Sequence, residues 1–312
     1  MTTSTAADLQ RWRAPPIYRL LSTSTLLEGE HLNKVWRGMA QVPGSTEPAL
    51  PVIVKWTDKK EVIAAELACS LAARAFKLQV PAGVIVLAEK GDLPGLPLRV
   101  KGANTDLVIC FGSELQWPDD TFARPSKSDA AEEWIWQRIC DTAQGPAGGV
   151  WDELVANEDR HCQNVVFDGH RWWLIDHEHT LPAVAKVMRR FAEQVARQAV
   201  IEHAASKNAL AAEVARRRPN DHQMENLPEV WTRARGRLQW LADQAQHWHT
   251  GWGHVDTILM MTHVYLRSID LRLPALALHL ERRLMKPEKA SLWSSYSNDQ
   301  TPRGKTSRRP PA

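Results

Sequence analysis

The chain has 312 residues, 44% hydrophobic and 24% charged, with a net charge of +3 at neutral pH. This is an ordinary globular composition, long enough for one large domain or two lobes around a shared cleft. The excess charge sits in Thr301 to Ala312, where Arg303, Lys305, Arg308 and Arg309 stand without an acid, so the remaining body is near neutral and does not read as a nucleic-acid binder.

Residues 1–16 form an N-terminal extension, MTTSTAADLQRWRAPP, without the apolar run of a signal peptide. No uncharged apolar run approaches the ~20 residues that a membrane helix needs. Cys69, Cys110, Cys140 and Cys162 are scattered and form no CxxC pair, which suits reduced thiols rather than disulfides or a zinc site. A cytoplasmic protein without membrane contact is the expectation.

Residues 17–116 read as a small lobe of strands with one helix. VWRGMA, LPVIVKW, AGVIVLAE, LPLRVKG and LVICFG are short, apolar or alternating, and divided by Pro, Gly and Asp turns. Lys59 to Leu78 is the exception. It has no Gly or Pro, carries Ile63, Leu67, Leu71 and Leu78 at helical spacing, and is stopped by Pro81. Lys55 ends the apolar strand PVIVKW, where an ammonium needs either water or a negative partner. Glu66 lies on the small, apolar flank of the following helix, where a carboxylate wants a cation. A strand lysine paired with a carboxylate of the next helix positions nucleotide phosphates in kinase-like sites.

Residues 117–285 turn helical. SDAAEEWIWQRICDTA opens on a Ser128 or Asp129 cap with acids in its first turn. Helices are also expected over Ala183–Ala205, Glu229–Trp248 and Thr257–Met285, with breaks at Pro219, Gly251–Gly253 and Pro274. Lys286 to Ala312 reads as a polar, basic, disordered tail. Among these helices lies NEDRHCQNVVFDGHRWWLIDHE. The Asp168-Gly169 pair predicts a two-residue turn in which Phe167 opposes His170. Asn164 then opposes Trp173, and Asp176 follows three positions further along, so both sit at the open mouth of one hairpin. Asp159 is in the loop that leads in. An Asn carbonyl and an Asp carboxylate are hard ligands suited to Mg²⁺ carrying nucleotide phosphates, and a metal-free Asp beside them can accept a hydroxyl proton.

The order NEDRHCQN…WWLIDHE resembles the catalytic and metal-binding segments of HipA-like kinases, which are relatives within the protein-kinase-like superfamily. KKEVIAAELACSLAARAFKLQVPAGVIV is similar to the helix of that family's first lobe. The resemblance covers about Val52 to Leu181. It implies an α+β, two-lobed protein-kinase-like fold with a small strand-rich N-lobe and a larger helical C-lobe. It also implies an ATP- and Mg²⁺-dependent kinase acting on a Ser/Thr hydroxyl of a protein. Lys55 would bind the phosphates and Glu66 would hold Lys55. Asp159 would be the base, and Asn164 and Asp176 would hold Mg²⁺. Arg160 and His161 would either orient Asp159 and the γ-phosphate or brace the loop. LLEGEHLNK, with Gly29, stands where a G-x-G-x-x-G loop would cover the phosphates. ICFGSEL, with Phe111 and Glu114, stands where backbone groups would meet adenine. Some members of the family are toxins, which implies an antitoxin or regulatory protein as a partner. A small-molecule or lipid kinase would use the same residues, and a pseudokinase that binds nucleotide or a partner without transfer is the other reading.

Three further features have plainer explanations. His177-Glu178-His179 alternates as a metal site would, but no third ligand is evident. HWHTGWGH, from His247 to His254, reads as a Trp-packed loop between helices. Cys162, inside the catalytic segment, reads as small filler.

Overall fold

The computed structural model describes residues 15–22, 24–27, 33–97, 106–116, 129–182, 184–185, 208–218 and 222–280. The expected strand LPLRVKG lies largely outside them, as do Gly29, most of the expected helix over Ala183–Ala205 and the basic tail.

The architecture is mixed α+β. Strands β1 (Ile17–Leu20), β2 (Thr25–Leu26), β3 (Lys34–Gln41), β4 (Leu50–Trp56), β5 (Gly83–Glu89) and β6 (Leu107–Glu114) form one sheet, in the order β1-β5-β6-β4-β3-β2. The sheet curls until β1, parallel to β5, also meets β3 antiparallel through Arg19 and Gln41. Alternation dictates what fills it. Trp36, Val52, Val54, Val84, Val86, Val108 and Cys110 share one buried cluster on the inner face. Lys55, one residue out of phase with Val54, is thereby turned to the outer face, towards the helix that follows.

That helix, α1 (Lys60–Ala75), is rich in alanine and slender enough to be buried along most of its length. It packs against the outer sheet face and the long C-terminal helix α6 (Gly253–Leu280). Between them run α2 (Asp129–Cys140), α3 (Gln144–Leu154), the hairpin β7 (Val165–Phe167) and β8 (Trp172–Leu174), α4 (Ala209–Arg217) and α5 (Gln223–Ala245).

One helix was not among those expected, and two expectations are corrected. Helix α3 holds Gly145, Pro146, Gly148 and Gly149, residues that argue against a helix. Pro146 falls in its first turn, where no N–H is missed. A Cβ on Gly149 would lie 3.0 Å from Ala211 Cα, so the glycine lets α3 and α4 approach backbone to backbone. Helix α6 runs through Pro274 instead of breaking there, because Leu273, Leu276 and Leu280 beyond and beside it are buried in the main core. The hairpin register also differs. Phe167 pairs with Trp172, not His170. The connection has four residues because the Asp168 carboxylate accepts the amides of His170 (2.8 Å) and Arg171 (2.7 Å), building a side-chain turn in place of the tight Asp-Gly turn. Asn164 then stands across from Ile175, whose amide donates to its carbonyl at 3.1 Å. Asp176 is the next residue, closer than the predicted register places it.

Gly112 tests the inner packing. A Cβ there would lie 2.4 Å from Val86 Cγ2 and 2.9 Å from Val84 Cγ2. Gly112→Ala is expected to destabilise by about 1–3 kcal/mol. Gly91→Ala, which meets nothing within 4 Å, should stay within about 0.5 kcal/mol. Urea denaturation of both variants checks this.

Candidate functional site

Lys55 Nζ is the centre of the site. It donates to Glu66 Oε1 of α1 at 3.0 Å, to Asp176 Oδ1 just past the hairpin at 2.8 Å, and to Glu178 Oε2 at 2.8 Å. Its side chain is 12% exposed. Burial alone would lower the lysine pKa, but the three carboxylates outweigh it and drive it up, so the amine stays charged. Glu66 spends its other oxygen, Oε2, on the His177 amide at 2.9 Å. Burial raises the Glu66 pKa against the pull of Lys55. Glu178 also accepts from Asn33 Nδ2 at 2.6 Å. For Glu178 burial opposes ionisation, but the bond to His179 and the charge of Lys55 prevail and bring its pKa down to about 2. Asp176 has φ +59°, a left-handed backbone rare in residues other than glycine, asparagine and aspartate.

The lead-in loop is anchored from below by Arg160. Its guanidinium is buried and grips both oxygens of buried Asp152, at 2.8 and 3.2 Å. It also donates to the carbonyls of Asn164 and Ile175, the two residues at the hairpin mouth. Its last contact is His177 Nε2 at 3.2 Å, an atom that also accepts Trp151 Nε1–H at 3.0 Å. Arg160 therefore braces the loop and does not reach the cleft. Of its two sequence-based roles, the geometry supports only this one.

Asp159 is different. Its side chain is 46% exposed, and its Oδ2 lies 3.9 Å from both His161 Nε2 and His179 Nε2. His161 uses Nδ1 to accept the Gln163 amide at 3.2 Å, so the neutral ring presents Nε2–H towards Asp159. It caps the short turn of Cys162–Asn164 and flanks the carboxylate at once. Asn164 donates Nδ2–H to the Asp159 carbonyl at 2.8 Å, which leaves its side-chain oxygen as the group a metal could use.

Phe111 and Glu114 do not suit an adenine contact. Phe111 pairs with Lys55 on one side and Ile85 on the other, inside the sheet, so its backbone groups belong to the ladder. The Glu114 amide is bonded to Ala82 O at 2.9 Å. Residues 117–128, which follow this strand, lie outside the described residues.

A divalent ion can be tested against the donors present. Oxygens of Glu66, Asp176 and Glu178 lie within 4.8 Å of one another, and they are hard ligands of the kind Mg²⁺ takes. Glu66 is fully engaged with Lys55 and the His177 amide. Asp176 and Glu178 remain, and Asn164 stands across from Ile175, the residue before Asp176; oxygens of these residue types fit Mg²⁺. Sequence reasoning missed Glu178 and Asn33. The signal for Glu178 was its spacing of two from Asp176, which puts both carboxylates near the same mouth; Asn33 gave none.

No family model matches the chain, and no curated protein matches it. Among solved structures, it is similar to a Helicobacter pylori proinflammatory kinase, CtkA, at 11% sequence identity and a TM-score of 0.44, over 85% of this chain and 99% of that one. At that level of likeness the chemistry has to come from this chain's own residues. Among the described residues no helix is long and apolar enough to cross a membrane.

Two outcomes are expected. Arg160→Ala strands Asp152 as an unpaired buried charge and should cost about 3–5 kcal/mol. His161→Ala, at a half-exposed ring, should cost under about 1 kcal/mol; chemical denaturation compares them. The second concerns pH. Burial, then the charges of Arg160 and Lys55, hold the His177 pKa well below its ordinary value. Unfolded His177 takes up a proton near pH 6.5 and the folded ring does not, so its contribution is present above about pH 6.5 and fades below it. The bond to Glu178 outweighs burial and raises the His179 pKa, so its contribution has the opposite sign. In His179→Gln, the melting temperature should therefore fall from pH 7 to pH 5, while NMR shows the His177 ring still neutral.

Proposed function

We propose that the chain is an ATP- and Mg²⁺-dependent phosphotransferase of the HipA-like kind, with a Ser/Thr hydroxyl of a protein as acceptor. The observation that carries this reading is the Lys55 ammonium at the end of β4, held within 3.0 Å by Glu66 of the next helix and by Asp176 past the hairpin. These residues are 11 and 121 positions away in the chain. A structural ion pair needs one partner; a cation kept charged among three carboxylates, with its side chain 12% exposed, suits a phosphate site.

Each residue then has a task. Lys55 binds phosphate oxygens, and Glu66 fixes where the amine points. Asp176, Glu178 and the Asn164 oxygen would hold Mg²⁺, which neutralises charge on the phosphates when bound. Asp159, the half-exposed carboxylate at the mouth, takes the proton of the attacking hydroxyl as the new P–O bond forms and ADP leaves with its bridging oxygen. His161 Nε2–H orients Asp159. Arg160 and His177 keep the loop and hairpin in register. The half-exposed position of Asp159 favours a macromolecular acceptor, since a chain can lay its hydroxyl there.

A second reading, a pseudokinase that holds a partner protein and transfers nothing, is favoured by one observation: Lys55 already has as many acceptors as it has N–H groups.

The two readings part on one experiment. Wild-type protein should show a Mg²⁺-dependent thermal shift with ATP and transfer phosphate to itself or to added protein, read by intact mass. Asp159→Asn should keep the shift and lose about 10²–10⁴-fold in transfer. Asp176→Asn should lose most of the Mg²⁺-dependent shift. A shift in wild type with no transfer, or full transfer by Asp159→Asn, would overturn the assignment.

A further inference from the structure

We propose, on the strength of the nucleotide-binding reading above, that Glu178 is a gate on Lys55: it occupies the amine until a divalent cation draws the carboxylate away, and only then can phosphate take its place.

An ammonium has three N–H donors. Here they meet three carboxylates, at 3.0, 2.8 and 2.8 Å. No donor is left for a phosphate oxygen, so one acceptor has to leave before nucleotide can be held. Glu66 is the least free to go. It sits on a helix buried along most of its length, and its second oxygen is tied to the His177 amide. Asp176 follows directly on the hairpin mouth, whose carbonyls Arg160 pins from below. Glu178 is two residues further along the chain; its side chain is only 8% exposed, against 33% for Asp176, but its remaining described partners, Asn33 Nδ2 and His179, are both side chains that can rotate.

Charge points the same way. Three carboxylates around one ammonium leave a formal excess of two negative charges, and phosphate approaching a low-dielectric site with that excess is repelled. A divalent cation cancels it. Glu178 and Asp176 already present oxygens within ligand distance of each other. The carboxylate that blocks the amine is therefore one that can move onto the metal, and metal loading and amine release become one event. Glu178 is thus a positioning residue: it decides when Lys55 is available and takes no part in bond-making.

The test uses the full chain and calorimetry with ADP, first in excess chelator and then in Mg²⁺, and separately with Mn²⁺ alone. Wild type should bind ADP at least about tenfold more tightly with Mg²⁺ than without. Glu178→Gln removes the negative charge but keeps the shape. It should bind metal-free ADP about tenfold more tightly than wild type, bind Mn²⁺ more weakly, and so lose most of the metal dependence. A merely structural role would change neither ratio. If wild type binds no ADP in either condition, the nucleotide reading itself fails. If wild type binds ADP and Glu178→Gln keeps the wild-type ratio, the gate alone fails. Lys55 reactivity provides a measurement free of mutation. With no nucleotide present, Mg²⁺ should raise the labelling of Lys55 by an amine-reactive ester, read by peptide mass. Labelling unchanged by Mg²⁺ would overturn the gate even where Glu178→Gln did not fold.

Discussion

A buried ammonium cannot stand alone, and the arrangement of this molecule follows from how Lys55 is matched. Taking a lysine charge out of water costs several kcal/mol unless oppositely charged groups surround it. The groups that do so come from α1, from the hairpin mouth and from the residues just past it, so satisfying one amine requires the strand-rich and helical parts to meet in one way. Arg160 solves the same problem from the other side. It is buried on Asp152 and spends its remaining donors on the carbonyls of the hairpin mouth and on His177. The hairpin hangs between two cations, and Glu66 joins the halves by taking Lys55 with one oxygen and the His177 amide with the other.

The parts of this that were legible in sequence are those written in local pattern. Lys55 stood out because it ends the apolar run PVIVKW, and helical spacing put Glu66 on the flank of the following helix; that β4 alternates, turning Lys55 away from Val52 and Val54, came only with the sheet. The hairpin could be read because two apolar runs flank Asp168-Gly169. Its register could not, because the Asp168 side chain builds a four-residue connection whose bonds are not visible in composition. Helix α3 was hidden by its own glycines and proline. Its stability comes from contact with α4, and propensity does not report tertiary contact. The continuity of the expected last helix through Pro274 was hidden for the same reason.

The site was legible in proportion to chain separation. Asp159, Asn164 and Asp176 fall within one short segment, and their grouping survives a wrong register. Glu178 was weighed only within His177-Glu178-His179, and set aside there for want of a third ligand, because only its neighbours could be seen. Its contacts with Lys55 and Asn33 span 123 and 145 residues, distances at which a single sequence holds no pairing information. Arg160 was read with two roles because its residue type suits both; only burial separates them.

Helix α1 has one more implication. It is enclosed by the sheet on one side and by α6 on the other, and its Ile63, Leu67 and Leu71 are buried in the main core. A regulator that worked by swinging this helix outward would have to pull apart the junction of both halves. Glu66 is therefore held to the scaffold, and the gate proposed at Glu178 works at the mouth of the cleft without moving the helix behind it.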